Sequence, residues 1–122
     1  EAFVTPESKI PFMYMPDALR AMLELADAPK EGLKRSIYNI AAMSPSAQEF
    51  ADAVTSRLPE VEITFKSDPA RQAILDSWPE ALDDANARAE WGWAPAYDLD
   101  AMSDDVIAKV RTLLSNEGPV AV

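Results

Sequence analysis

The sequence predicts an α/β fold, one small domain built around a short parallel βαβ unit, and three observations carry that prediction. Residues 35 to 41 and 61 to 66 each hold the β-branched and aromatic residues that favour a strand. The residues between them carry a helix's capping and spacing signals, and a strand, helix and strand in that order form a crossover whose two strands lie parallel. Finally, 122 residues that are 48% hydrophobic bury a modest core as a single domain.

Taken in order, residues 1–11 mix Pro6 and Pro11 with polar residues and show no period, so an extended lead-in is expected. Phe12 to Met15 is a short apolar stretch ahead of Pro16, which pushes the preceding residue towards extended geometry. A helix follows near 16–28. Pro16 suits its first turn, Asp17 meets the positive end of its dipole, and Leu19, Met22, Leu23 and Ala26 recur at helical spacing as its expected inward face. Pro29 ends it.

Ile37, Tyr38 and Ile40 mark the first strand, between the turn residues Lys30 to Gly32 and Ser44-Pro45. Ser44 as cap and Pro45 at the first position open a helix near 45–58, with Ala47, Phe50, Ala51, Val54 and Leu58 on one face. Val61 to Phe65 alternates apolar and polar residues as a half-covered strand does. Ser67 to Asp83, with Pro69 and Pro79, reads as a long irregular connection. Asp83 or Asp84 caps a short helix near 84–91, and Gly92 stands where its end favours left-handed backbone. Asp98 caps a last helix near 99–115, which carries Leu99, Met102, Val106, Ile107, Val110, Leu113 and Leu114 on one face and the pair Asp105 and Lys109 on its wet side. Residues 116–122 read as a frayed tail.

Composition excludes much chemistry. The chain has no His and no Cys, so Ser-His-Asp and Cys-His nucleophiles, the usual zinc sites and disulfides are all out of reach. Its glycines, Gly32, Gly92 and Gly118, are too far apart for a phosphate-cradling loop. Twenty-one acidic against 11 basic residues give a net charge of −10, which disfavours nucleic acid and anionic membrane surfaces. No apolar run approaches the length of a bilayer span and no signal pattern opens the chain, so a cytoplasmic location is expected.

Candidate sites are few. Asp98, Asp100, Asp104 and Asp105 fail the register of a calcium loop, because Met102 and Ser103 fall where an oxygen ligand and the turn glycine belong. Trp91, Gly92, Trp93, Pro95 and Tyr97 read as an aromatic helix stop. Trp78 obeys no helical or strand period, so it either lines a ligand cleft or plugs the core. Arg71, in the same connection, is a cation placed to meet an anionic group or to stay solvated, while Asp76 and Ser77 are expected to fix the loop beside Trp78.

The segment from Asp84 to Leu99, with Trp91-Gly92-Trp93, Pro95 and Tyr97, and the junction Tyr14-Met15-Pro16-Asp17 resemble elements of the C-terminal substrate domain of extended short-chain dehydrogenase/reductases, in the NAD-dependent epimerase/dehydratase superfamily. Phe12 to Ala21, Tyr38 to Ala41 and above all Arg71 to Pro79 are similar to the short-chain type of L-threonine 3-dehydrogenase. The resemblance, running from about Phe12 to Leu114, implies a substrate-closing portion of a homodimeric enzyme. Its intact form oxidises the 3-hydroxyl of L-threonine by hydride transfer to NAD, with NAD held by an N-terminal Rossmann domain that is absent here. The family's Tyr-x-x-x-Lys pair is absent too, since Tyr14, Tyr38 and Tyr97 are followed four residues on by Ala18, Ala42 and Ala101, so no catalytic residue is expected in this chain. A nucleotide-sugar epimerase or dehydratase portion and a free-standing, non-catalytic interaction module are the alternatives. The two cations Lys66 and Arg71, in the stretch where a pyrophosphate would need several, favour the amino acid.

Overall fold

A computed structural model of the chain describes residues 1–116, so the expected tail lies outside the described residues except for Asn116, which ends the last helix. Among the described residues run five α-helices: α1 (Met15–Asp27), α2 (Ala47–Thr55), α3 (Pro69–Asp76), α4 (Ala85–Trp91) and α5 (Leu99–Asn116), with a 3₁₀ turn at Lys30–Gly32.

The parallel βαβ unit does not form. Among the described residues the β pairing is confined to isolated bridges, which join Ala2 to Phe65 in the second expected strand and Lys9 and Phe12 to Ser46 and Met43, just past the first. Ala2 pairs in parallel with Phe65, its amide donating to the Thr64 carbonyl at 2.7 Å and its carbonyl accepting from Lys66 at 2.8 Å. Lys9 and Phe12 pair antiparallel with Ser46 and Met43. The composition of residues 35–41 is that of a strand, yet a ladder needs a neighbour, and among the described residues no bridge reaches this segment. The lead-in is therefore the seam between the two halves of the chain.

Local signals explain the helices. The α2 cap is Ser46, two residues beyond the expected Ser44: its hydroxyl accepts from Glu49 N while the Glu49 carboxylate accepts from Ser46 N, a reciprocal capping box. The expected irregular connection contains α3, because Pro69 stands at a first helical position after Asp68, whose carboxylate accepts from the amides of Ala70 and Arg71. Gly92 ends α4 at φ 77°, the left-handed geometry its position called for. On α5, Asp98 accepts from Ala101 N at 2.8 Å. α2 packs against α5, and Arg57, just past α2, reaches Asp100 and Asp104. Its guanidinium thus lies against two carboxylates of the acidic cluster.

The core is thin. Trp93 and the small residues Ala21 and Ala87 form its centre, with Met13, Tyr38, Ile40 and Trp91 packed partly buried around them. α1 reverses the expected orientation: it turns Asp17 and Ala21 inward and leaves Leu19, Met22 and Leu23 outside. The turn after α4 explains this. Asp17 accepts from the amides of Ala96 and Tyr97 and from the Arg20 guanidinium, so a carboxylate 1% exposed is the contact that fixes α1.

Candidate functional site

The Arg71 to Pro79 region is part helix and part turn. Ser77 caps the end of α3, donating its hydroxyl to the Ile74 carbonyl at 2.6 Å, and Trp78 follows with more than half of its surface exposed. Trp78 is thus not a core plug.

Between the lead-in and α3 lies a cleft of about 380 Å³. Trp78 and Asp76 line it from one side and Thr5, Ser8 and Lys9 from the other. Two of the four expected site residues therefore share the cleft. Arg71 and Ser77 do not: the Arg71 guanidinium lies 4.8 Å from the centre of the Phe3 ring, and the Ser77 hydroxyl is used within its own helix.

Gln72 was missed from the sequence and organises the cleft. Its carbonyl oxygen accepts from Thr5 N at 2.9 Å and its amide donates to Ser8 Oγ at 2.9 Å and to Asp76 Oδ1 at 2.7 Å. One side chain therefore joins the lead-in to α3. Lys9, also missed, supplies the cleft's cation, while Glu7, Asp76 and Glu80 supply anions. Both charges beside a flat indole suit a small zwitterion: they can bind and orient it.

The carboxyls and phenols with displaced pKa values sit in other ion pairs and hydrogen bonds. Burial pushes the Asp17 carboxyl up, but the Arg20 guanidinium and the Ala96 and Tyr97 amides outweigh it and hold it below the ordinary range. Glu90 is held low first by the Tyr38 hydroxyl and then by Lys34 N, with Arg35 alongside. Tyr14 meets Lys109 in space, its oxygen 3.4 Å from the ammonium, but its hydrogen bond to Asp105 raises the phenol's pKa. That Tyr and Lys stabilise a helix contact; they are not an activated phenolate. α1 starts at Met15 with no glycine-rich turn before it and no side-chain cap at Tyr14.

No protein-family model matches the chain. It is 48% identical over 99 residues to the mitochondrial L-threonine 3-dehydrogenase of Bos taurus, covering 81% of this chain and 26% of that protein. An uncharacterized epimerase/dehydratase of Staphylococcus saprophyticus is 38% identical over 105 residues, covering 84% of this chain and 32% of its own. The crystal structure of L-threonine dehydrogenase from Phytophthora infestans superposes with a TM-score of 0.86 at 37% identity, over 92% of this chain and 36% of that one. The chain thus spans about a quarter to a third of the length of the relatives it matches. It is a homologue of epimerase/dehydratase proteins. Within that class, L-threonine 3-dehydrogenases match it in both sequence and structure.

Proposed function

We propose that this chain is the C-terminal, substrate-recognising portion of an NAD-dependent L-threonine 3-dehydrogenase. The observation that carries the reading is the cleft itself, where an exposed indole, a lysine and carboxylates face one another in a chain that aligns with threonine dehydrogenases over most of its length. The intact enzyme, a homodimer in this reading, oxidises the 3-hydroxyl of L-threonine by hydride transfer to NAD. NAD and the proton-transferring residues belong to the part of the enzyme outside these residues, a Rossmann domain that is also this chain's partner. By itself the chain is inactive. Its own residues bind and orient the amino acid, and Trp78 excludes water from it, as closing elements do. The proposal keeps a cytoplasmic location for the enzyme, whereas the Bos taurus relative is mitochondrial; no described helix is long and apolar enough to cross a membrane.

The test joins this chain to the portion of the Phytophthora infestans enzyme that it does not cover and compares Trp78→Ala with the parent. Threonine kcat/KM is expected to fall about tenfold or more, with NAD affinity and Tm nearly unchanged. An unchanged kcat/KM with a lowered Tm would show that the indole only packs.

A further inference from the structure

Three carboxylates, those of Glu7, Asp76 and Glu80, and one ammonium, that of Lys9, line the cleft between the lead-in and α3. Three against one draws a cation in and turns a phosphate away. The carboxylates are not equivalent. Of the three, only Asp76 is held in place among the described residues, its Oδ1 accepting from Gln72 Nε2 at 2.7 Å. Gln72 is itself tied to the lead-in, accepting from Thr5 N at 2.9 Å and donating to Ser8 Oγ at 2.9 Å. A carboxylate anchored in this way meets a ligand without losing rotamer freedom on binding, a cost that falls on Glu7 and Glu80.

The place of Asp76 adds to the selection. It is the last residue of α3, where the aligned peptide dipoles leave partial negative charge, and the Trp78 indole lines the same cleft two residues on. An ammonium is stabilised by all three: by pairing with the carboxylate, by the helix end and by the face of the indole. Oδ2 of Asp76 has no partner among the described residues, so it can accept from a ligand while Oδ1 stays on Gln72. Lys9 stands on the lead-in side of the cleft and forms no ion pair among the described residues, although Glu49 feels its charge. A carboxylate belongs at that end.

We propose that Asp76 accepts from the substrate's ammonium group, that Lys9 takes its carboxylate, and that Gln72 is the positioning residue that holds Asp76 for the task. This rests on the proposed function and adds to it the direction in which the amino acid lies and the residue that selects its amine. Threonine is thereby told from 3-hydroxybutyrate, the same acid without the amine.

The test uses the enzyme completed with the Phytophthora infestans portion, with threonine as substrate and 3-hydroxybutyrate as competitive inhibitor. Asp76→Asn keeps an acceptor for Gln72 and loses the charge, so threonine KM should rise about tenfold with kcat nearly unchanged, while the inhibition constant of 3-hydroxybutyrate stays level or falls. Gln72→Ala should raise threonine KM about threefold, again without moving kcat or the inhibition constant. Glu80→Gln removes the same charge from an unanchored position and should raise KM by less than about twofold. Equal weakening of threonine and 3-hydroxybutyrate by Asp76→Asn shows that the side chain only shapes the cleft, and an equal effect of Glu80→Gln shows that only the summed charge matters; either result overturns the proposal. A threonine KM unmoved by Asp76→Asn, in an enzyme whose kcat/KM falls with Trp78→Ala, overturns the ammonium site and leaves the functional reading standing. Where the completed parent folds but does not oxidise threonine, the functional reading falls instead; there, or where it does not fold, NMR of the 122-residue chain decides the ammonium site. Threonine should shift the Trp78 indole N–H resonance at lower concentration than 3-hydroxybutyrate does, and Asp76→Asn should abolish that difference; equal titrations in the parent overturn the proposal.

Discussion

Trp93 and Trp78 are the same residue under opposite conditions. Trp93 is 1% exposed, its indole nitrogen donates to the Ala41 carbonyl at 3.0 Å, and the Arg20 guanidinium sits 4.9 Å over its ring. Trp78 is 54% exposed, with no hydrogen bond from its indole nitrogen among the described residues. The first is held by contacts from three separate stretches of chain. The second hangs from the end of α3, where nothing but the helix stop fixes it. The difference teaches that one half of this molecule is a clamp and the other an open edge: a clamped side chain is costly to remove, while an unclamped one is free to meet something else.

The sharpest way to break the comparison is at its rigid end. Trp93→Ala removes the largest buried side chain from a core otherwise made of alanines and should cost about 3 to 5 kcal/mol in urea melts. A loss near zero would mean that the clamp is not what holds the turn.

Asp17 tests the same region by charge. Its carboxyl lies below its unfolded value of 3.8, so the folded state binds fewer protons around that pH. Its contribution is therefore complete above that value and is lost as the pH falls through the folded pKa. Asp17→Asn keeps the shape but turns an acceptor into a donor against the Tyr97 amide, and should destabilise by about 1.5 to 3 kcal/mol near neutrality. The gap between parent and variant should close as the pH drops below 3.8; a gap that is constant with pH would show that shape, not charge, carries the contact.

How far each half was legible follows from the range of its signals. α4, the left-handed Gly92 and the Asp98 cap of α5 depend on residues within one turn, and these the sequence showed correctly. α3 was written just as locally, in Asp68 followed by Pro69, but the proline reads as a breaker until its position after a cap is noticed. The orientation of α1 could not be read from its own periodicity, because its inward face is chosen by amides at Ala96 and Tyr97 rather than by its leucines. Strand pairing failed for a related reason: composition marks a strand, but which neighbour it takes is a property of the whole chain. Of the cleft, Trp78 and Asp76 were visible as polar-loop oddities, whereas Gln72 and Lys9 become site residues only once the lead-in folds against α3.

The smallest expected effect sharpens the contrast from the open side. Gln72→Ala removes the one side chain that joins Thr5, Ser8 and Asp76, yet all of these groups are partly exposed, so water can replace the lost partners. The global loss should be about 0.5 to 1.5 kcal/mol, well below that of Trp93→Ala. The local loss should be larger in kind. Amide exchange at Thr5 and along α3 is expected to quicken, while the amides of α2, held by the Ser46 and Glu49 capping box, keep their protection. Hydrogen exchange followed by NMR separates the two outcomes: faster exchange confined to Thr5 and α3 makes the cleft edge an independently opening unit, and a uniform loss across α2 and α5 would mean that clamp and edge unfold as one body.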